Sequence, residues 1–182
     1  MKAVKIYVVG MVQGVGFRPF VRRAAKLSGV RGYVRNLGGG EVEIRVEAEN
    51  EGEISKFLKQ LRERSPPPAR IEILKVENVE PLNLKDFIIL ESSRERVLAS
   101  EIPQDLAMCD HCLREILDHR TRWYRYPFNS CAWCGPRYSM MYNPPYDREN
   151  TAMRDFPLCE KCIEEYEDLW NEVPEIFILF NA

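Results

Sequence analysis

A chain of 182 residues with 45% apolar and 30% charged side chains has the profile of a folded globular protein, not of a disordered one. Its formal net charge of −2 gives no global attraction toward nucleic acid or an anionic membrane, and its longest wholly apolar run, Ile176 to Phe180, is far too short to span a bilayer. Met1 to Lys5 runs straight into an alternating pattern with no secretory h-region, so the six cysteines point to a reducing compartment and metal ligation, and the expected address is the cytoplasm.

In chain order, Val4 to Val9 reads as a strand. Pro19 then opens a helical stretch with Phe20, Val21, Ala24, Ala25 and Leu27 apolar, closed by Gly29. Gly32 to Asn36 is a second predicted strand, followed by the Gly38-Gly39-Gly40 turn. Val42, Ile44 and Val46 alternate with Glu41, Glu43, Arg45 and Glu47, the pattern of a half-buried strand. Ile54, Phe57, Leu58 and Leu61 fall on one face of a second helix, which Pro66-Pro67-Pro68 cannot continue. Ile71 to Val79 and Phe87 to Leu90 complete the set as strands. The order βαββαβ plus a short last strand predicts an α+β, ferredoxin-like sandwich over residues 1–91. Residues 92 to 108 read as a linker, and 92–182 as a second, cysteine-bearing domain, because no cysteine precedes Cys109.

Gly10-Met11-Val12-Gln13-Gly14-Val15-Gly16-Phe17-Arg18 lies between the first strand and the first helix. A glycine-rich turn there can aim successive N–H groups into one concavity, beside the positive end of a helix. Arg18 would add a planar fork for two phosphate oxygens. This run matches the acylphosphatase signature at every defined position. Gly32 to Asn36 followed by Gly40 to Glu43 resembles that family's second block, and Pro67 to Arg70 its third; Gly39 departs from the usual acidic turn residue, outside the chemistry. The resemblance implies that the Gln13–Arg18 loop (Gln13, Gly14, Val15, Gly16, Phe17 and Arg18) holds a phosphoryl group and that the Asn36 carboxamide orients the attacking water. An acyl phosphate carries a carboxylate-quality leaving group, so a site without a strong base or a metal suits its loose transition state.

Cys109-x2-Cys112 and Cys131-x2-Cys134, eighteen residues apart, have the spacing of a structural four-thiolate zinc site. Cys109 to Glu115 recurs fifty residues later as Cys159 to Glu165, an internal repeat of one small module. Applied to the repeat, the same spacing would put the partners of Cys159 and Cys162 at 181, which is Asn181, and beyond the last residue. The second pair is thus a half-site, with three readings open: idle thiols, ligands borrowed from this chain, or a site shared between two chains. His111 and His119 read as polar residues rather than ligands. Arg120 to Tyr126 interleaves arginines with aromatics, which fits either a nucleic-acid surface or, more economically, aromatics packed on the metal module with solvated arginines.

Together the halves resemble the N-terminal part of the hydrogenase-maturation carbamoyltransferases. Pro103-x-Asp105-x-Ala107-x-Cys109-x2-Cys112-Leu113, Arg125 to Phe128, Cys134 to Arg137 and Pro145 to Arg148 carry that likeness, which runs from residue 1 to about 168. It implies carbamoyl phosphate as substrate, two zinc modules, hydrogenase-maturation proteins as partners, and nucleotide-binding and transferase domains that follow. Hydrolysis of the acyl phosphate, and not the carbamoyl transfer, is expected of this chain alone. The competing expectations are a non-enzymatic zinc adaptor and a nucleic-acid-binding zinc protein.

Overall fold

The computed structural model describes residues 1–37, 40–67, 69–93, 106–131, 134–135, 137–143 and 146–167. The Gly38-Gly39 turn, most of the expected linker and the Ile176–Phe180 run fall outside these residues. Five strands, β1 (Lys2–Met11), β2 (Arg31–Asn36), β3 (Glu41–Ala48), β4 (Arg70–Asn78) and β5 (Phe87–Ile89), form one sheet in the order β4-β1-β3-β2-β5. β1 lies antiparallel between β3 and β4, β2 lies antiparallel to β3, and β5 joins β2 in parallel. Helices α1 (Phe17–Ser28) and α2 (Glu51–Glu63) pack on the sheet over Ile6, Val8, Val21, Val34, Ile44, Phe57 and Leu61, all fully buried. This is the expected α+β acylphosphatase-like sandwich.

Local chemistry sets the element ends. α1 starts two residues before Pro19, at Phe17, with Gly16 as its N-cap at φ 68. Proline is tolerated in that first turn because its missing N–H has no helical acceptor. Gly29 at φ 75 closes the helix by donating to the carbonyls of Ala25 and Lys26. The Asn50 side chain caps α2 by accepting from the Glu53 N–H at 3.1 Å.

β3 departs from the half-buried expectation, because every one of its residues is buried. It is a central strand, and the 79–86 segment crosses the face on which its charged side chains project. Glu47, fully buried, accepts from the Leu82 and Leu84 N–H groups at 2.7 and 3.0 Å, and Arg45 donates to the Glu80 carbonyl. Glu43 is paired with Lys5 at 3.4 Å and with Arg35 at 3.0 Å. The alternation is therefore between an apolar core and a polar network, and not between core and water.

The cysteine-bearing part is built from short pieces. α3 (Asp110–Leu117) begins directly after Cys109, and α4 (Glu160–Glu167) directly after Cys159. In both, the N–H of the fourth residue on, Leu113 or Ile163, donates to the first cysteine's carbonyl at 3.0 Å, so the sequence repeat is a structural repeat. Between them, among the described residues, lie three 3-10 turns and a bridge between Met141 and Thr151. Its apolar clusters are small, with Met140, Tyr146 and Met153 in one and Trp123, Tyr126, Leu158 and Cys162 in another.

Candidate functional site

The anion cradle starts where β1 stops pairing regularly. The register with β4 slips between Val9 and Gly10, and a Cβ on Gly10 (φ +142) would lie 2.1 Å from the Arg70 carbonyl oxygen, so only glycine fits. Gly14 and Gly16, both at φ 68, then turn the chain into α1. The Val15 and Phe17 side chains are buried in the core, which fixes the loop backbone between them. Gln13, also buried, donates through Nε2 to the carbonyls of Glu41 (3.2 Å) and Leu37 (3.4 Å), tying the loop to the β2–β3 connection. Gln13, Val15 and Phe17 thus spend their side chains on the fold and leave only backbone groups for a ligand. The N–H groups of Gly14 to Phe17 have no hydrogen-bond partner among the described residues.

Arg18 stands in the first turn of α1 and Asn36 at the end of β2, eighteen residues apart in sequence. Both reach one oxygen. Arg18 Nη2 and Asn36 Nδ2 (3.3 Å) donate to Oδ1 of Asp147. The other carboxylate oxygen accepts from Ser92 Oγ. A carboxylate only accepts, so the Asn36 amide nitrogen faces it and the amide oxygen faces away. That oxygen, Oδ1, is buried with no partner, an uncommon state for a polar atom. Ser92 and Ser93 are not slack linker: the Ser93 N–H donates to the Asn36 carbonyl at 2.8 Å, extending the β2–β5 ladder to the site.

Asp147, Ser92 and Tyr146 are the site members that sequence reasoning missed. Pro145 to Arg148 stood out only as a likeness, without a role. Nothing in the sequence pairs residue 147 with residue 18.

Cys109, Cys112, Cys131 and Cys134 converge, with their sulfurs all within 4.8 Å of one another. Sulfur–sulfur separations of 3.6, 3.7 and 3.8 Å match the edge of about 3.8 Å in a tetrahedron with Zn–S bonds near 2.3 Å. Hydrogen bonding to Cys131 and Cys134, reinforced by burial, pushes the Cys112 thiol up. For Cys131 the hydrogen bond from Cys112 works downward, but Cys134 and burial outweigh it and push the thiol up to about 12. Hydrogen bonds from Cys112 and Cys131 hold Cys134 well below the usual thiol range. Four converging sulfurs at tetrahedral separations are a nest for a soft dication, and the donor set fits structural zinc with no position left open.

Cys159 and Cys162 approach to 3.4 Å, with Arg122 Nη2 2.7 Å from the Cys162 sulfur. They join no metal cluster among the described residues, and Asn181 lies outside those residues. His111 pairs with Glu115 at 3.7 Å and His119 meets the Tyr124 ring edge-on, so neither histidine joins the cysteines. In the arginine–aromatic run Trp123 is buried against Tyr126 and Cys162, with Arg122 4.4 Å over its ring. That packing is the more economical of the two readings.

Comparison with known proteins follows the same division. The acylphosphatase family matches residues 4–89, and the HypF finger family matches residues 108–141. The chain is 46% identical over 89 residues to an acylphosphatase of Thermotoga petrophila, covering 97% of that relative. It is 49% identical over 149 residues, 81% of its own length, to a probable carbamoyltransferase HypF of Methanocaldococcus jannaschii, of which it covers 19%. A full-length HypF solved in its phosphate- and nucleotide-bound form superposes over 93% of the chain with a TM-score of 0.80 and 40% identity, on 22% of that structure. The chain thus spans about a fifth of the length of these carbamoyltransferases.

Proposed function

Because the chain belongs to the acylphosphatase family through its first half, we propose that it hydrolyses an acyl phosphate at the Arg18–Asn36 cradle, with carbamoyl phosphate as the preferred substrate. The observation that carries this reading is the convergence of Arg18 Nη2 and Asn36 Nδ2 on a single oxyanion, beside the unpartnered Asn36 Oδ1. In the proposed mechanism the phosphoryl oxygens take the place of that oxyanion on Arg18 and on the N–H groups of the Gly14–Phe17 loop. Asn36 Oδ1 accepts one hydrogen bond from a water and aims its lone pair at phosphorus, in line with the acyl oxygen. The new P–O bond forms from water, the bond to the acyl oxygen breaks, and the carboxylate or carbamate departs with its electron pair. The water's proton passes to phosphate or solvent. Arg18 and the loop dipoles carry the charge that spreads over the equatorial oxygens, so no metal is required for this step.

Zinc on Cys109, Cys112, Cys131 and Cys134 would hold the second module together. We further propose that 1–91 and 92–182 are the two domains, that the protein works in the cytoplasm, and that it acts in hydrogenase maturation within a carbamoyltransferase. Among the described residues no helix is long and apolar enough to cross a membrane.

The test is phosphate release from carbamoyl and acetyl phosphate, without added metal, by the parent, Arg18→Ala and Asn36→Ala. Turnover by the parent that is lost in both variants supports hydrolysis, and a preference for carbamoyl phosphate supports the maturation role. A folded, zinc-loaded parent without turnover refutes the enzymatic reading and leaves an anion-binding adaptor.

A further inference from the structure

The proposed hydrolysis has no use for Asp147, the carboxylate that occupies the cradle, and it comes from the other half of the chain. We propose that Asp147 is a built-in oxyanion of the acyl-phosphate site, an internal ligand that substrate must displace and that thereby selects phosphoryl groups over simple carboxylates. The inference rests on Arg18 and Asn36 forming that site.

Three observations carry it. First, the carboxylate uses the donors that substrate needs: its Oδ1 takes Arg18 and Asn36, and its Oδ2 takes Ser92, with the residue only 5% exposed. One Nη2 and one Nδ2 cannot serve this oxygen and a phosphoryl oxygen in the same place. Two anions side by side would also repel in so dry a site. Second, the carboxylate is aimed and does not merely lie there. Tyr146, 1% exposed, accepts on its hydroxyl from the Arg137 N–H at 2.9 Å and donates its own N–H to Gln13 Oε1 at 3.4 Å. Arg137 in turn donates to the Cys134 carbonyl at 2.8 Å, so the cysteine cluster fixes the segment that carries Asp147. Third, the module is seated on the loop itself. Gly135 (φ +62) lies so close that a Cβ there would come within 3.2 Å of Val15 Cγ1.

A tethered carboxylate has a high effective concentration, so a free carboxylate, including the one released by hydrolysis, offers nothing that Asp147 does not already supply. A phosphoryl group can also engage the loop N–H groups, which Asp147 leaves unused. It alone has the surplus to open the site. The apparent affinity for any ligand is reduced by the fraction of molecules in which Asp147 is out.

The experiment measures binding of inorganic phosphate by calorimetry, and inhibition of acetyl phosphate turnover by acetate, in the zinc-loaded chain and in Asp147→Asn, Asp147→Ala and Ser92→Ala. Phosphate should bind roughly tenfold tighter to both Asp147 variants. Acetate should inhibit Asp147→Ala at concentrations that leave the parent untouched. Ser92→Ala keeps the carboxylate but loosens it, and should tighten phosphate about two- to threefold even if the Asp147 variants fail to fold. Unchanged or weaker phosphate binding in folded variants with full zinc content overturns the proposal. Tighter phosphate binding in a protein that turns over no acyl phosphate would sink the hydrolysis reading and leave this one standing, and intact hydrolysis with parental phosphate binding would do the reverse.

Discussion

Truncation of Asn36 to alanine separates a working residue from a structural one. The side chain is 1% exposed and stands on β2 between the core and the cradle. Its Nδ2 makes a 3.3 Å bond to Asp147, while its Oδ1 is buried without a partner. An orphaned buried acceptor costs about 1–3 kcal/mol, so removing it returns stability that offsets the small cavity and the lost amide bond. We expect Asn36→Ala to change stability by no more than about 1 kcal/mol, whereas Val34→Ala, two residues back on the same face and fully buried, should cost roughly 2 kcal/mol. Activity should behave oppositely. Losing one preorganised polar contact to the attacking water corresponds to about 2.7–4 kcal/mol, or 10²- to 10³-fold in kcat, with little change in KM. Urea denaturation and acetyl phosphate turnover on the same samples check both halves. Turnover within tenfold of the parent, or a stability loss beyond about 3 kcal/mol, would refute the assignment of Oδ1 to water.

Arg18→Ala should lower kcat/KM by about 10³-fold or more, and Arg18→Lys should recover little of it, because a point charge cannot present a planar fork to two oxygens; steady-state kinetics with acetyl phosphate decides. Metal analysis should find one zinc per chain, lost in Cys112→Ser and retained in Cys162→Ser. Stripping the zinc should melt the second module, for which the ion supplies roughly 10–16 kcal/mol of apparent binding energy. Burial by itself would raise the Glu47 carboxyl, but the Leu82 and Leu84 N–H groups and Arg45 outweigh it and hold it below the ordinary value near 4.5. Its contribution is therefore present above pH 4.5 and is lost as pH falls through the depressed value, so urea midpoints between pH 6 and pH 3 should drop more steeply for the parent than for Glu47→Gln. Glu47→Gln should itself cost about 2–4 kcal/mol at neutral pH, since it strips a charge from three donors.

Much of this was legible because it is local. Periodicity placed all five strands and both sandwich helices, and C-x2-C spacing placed the cysteine cluster, since both patterns depend on neighbours a few residues apart. The errors came where a distant segment decides. Glu43, Arg45 and Glu47 look like a solvated face until the 79–86 segment lies across Arg45 and Glu47, and Lys5 and Arg35 close on Glu43. Ser92 looks like linker until Ser93 bonds to Asn36. Asp147 is the extreme case, reaching Arg18 across 129 positions from a motif that gave it no role and no spacing to tie it to the loop.

That long-range contact gives the cysteine module a reason to be well ordered. Its apolar clusters hold only a few buried side chains each, too few to hold a segment within a fraction of an ångström against chain entropy. Four thiolates around one ion can do so. The chain of support runs from the Cys134 carbonyl through Arg137 and the Tyr146 hydroxyl to the carboxylate that Arg18 and Asn36 hold. A zinc site whose ligands touch no substrate would then act on catalysis through placement alone. Loss of the ion should release Asp147 and raise the affinity of the cradle for phosphate, while leaving Arg18 and Asn36, which stand on α1 and β2, where they are.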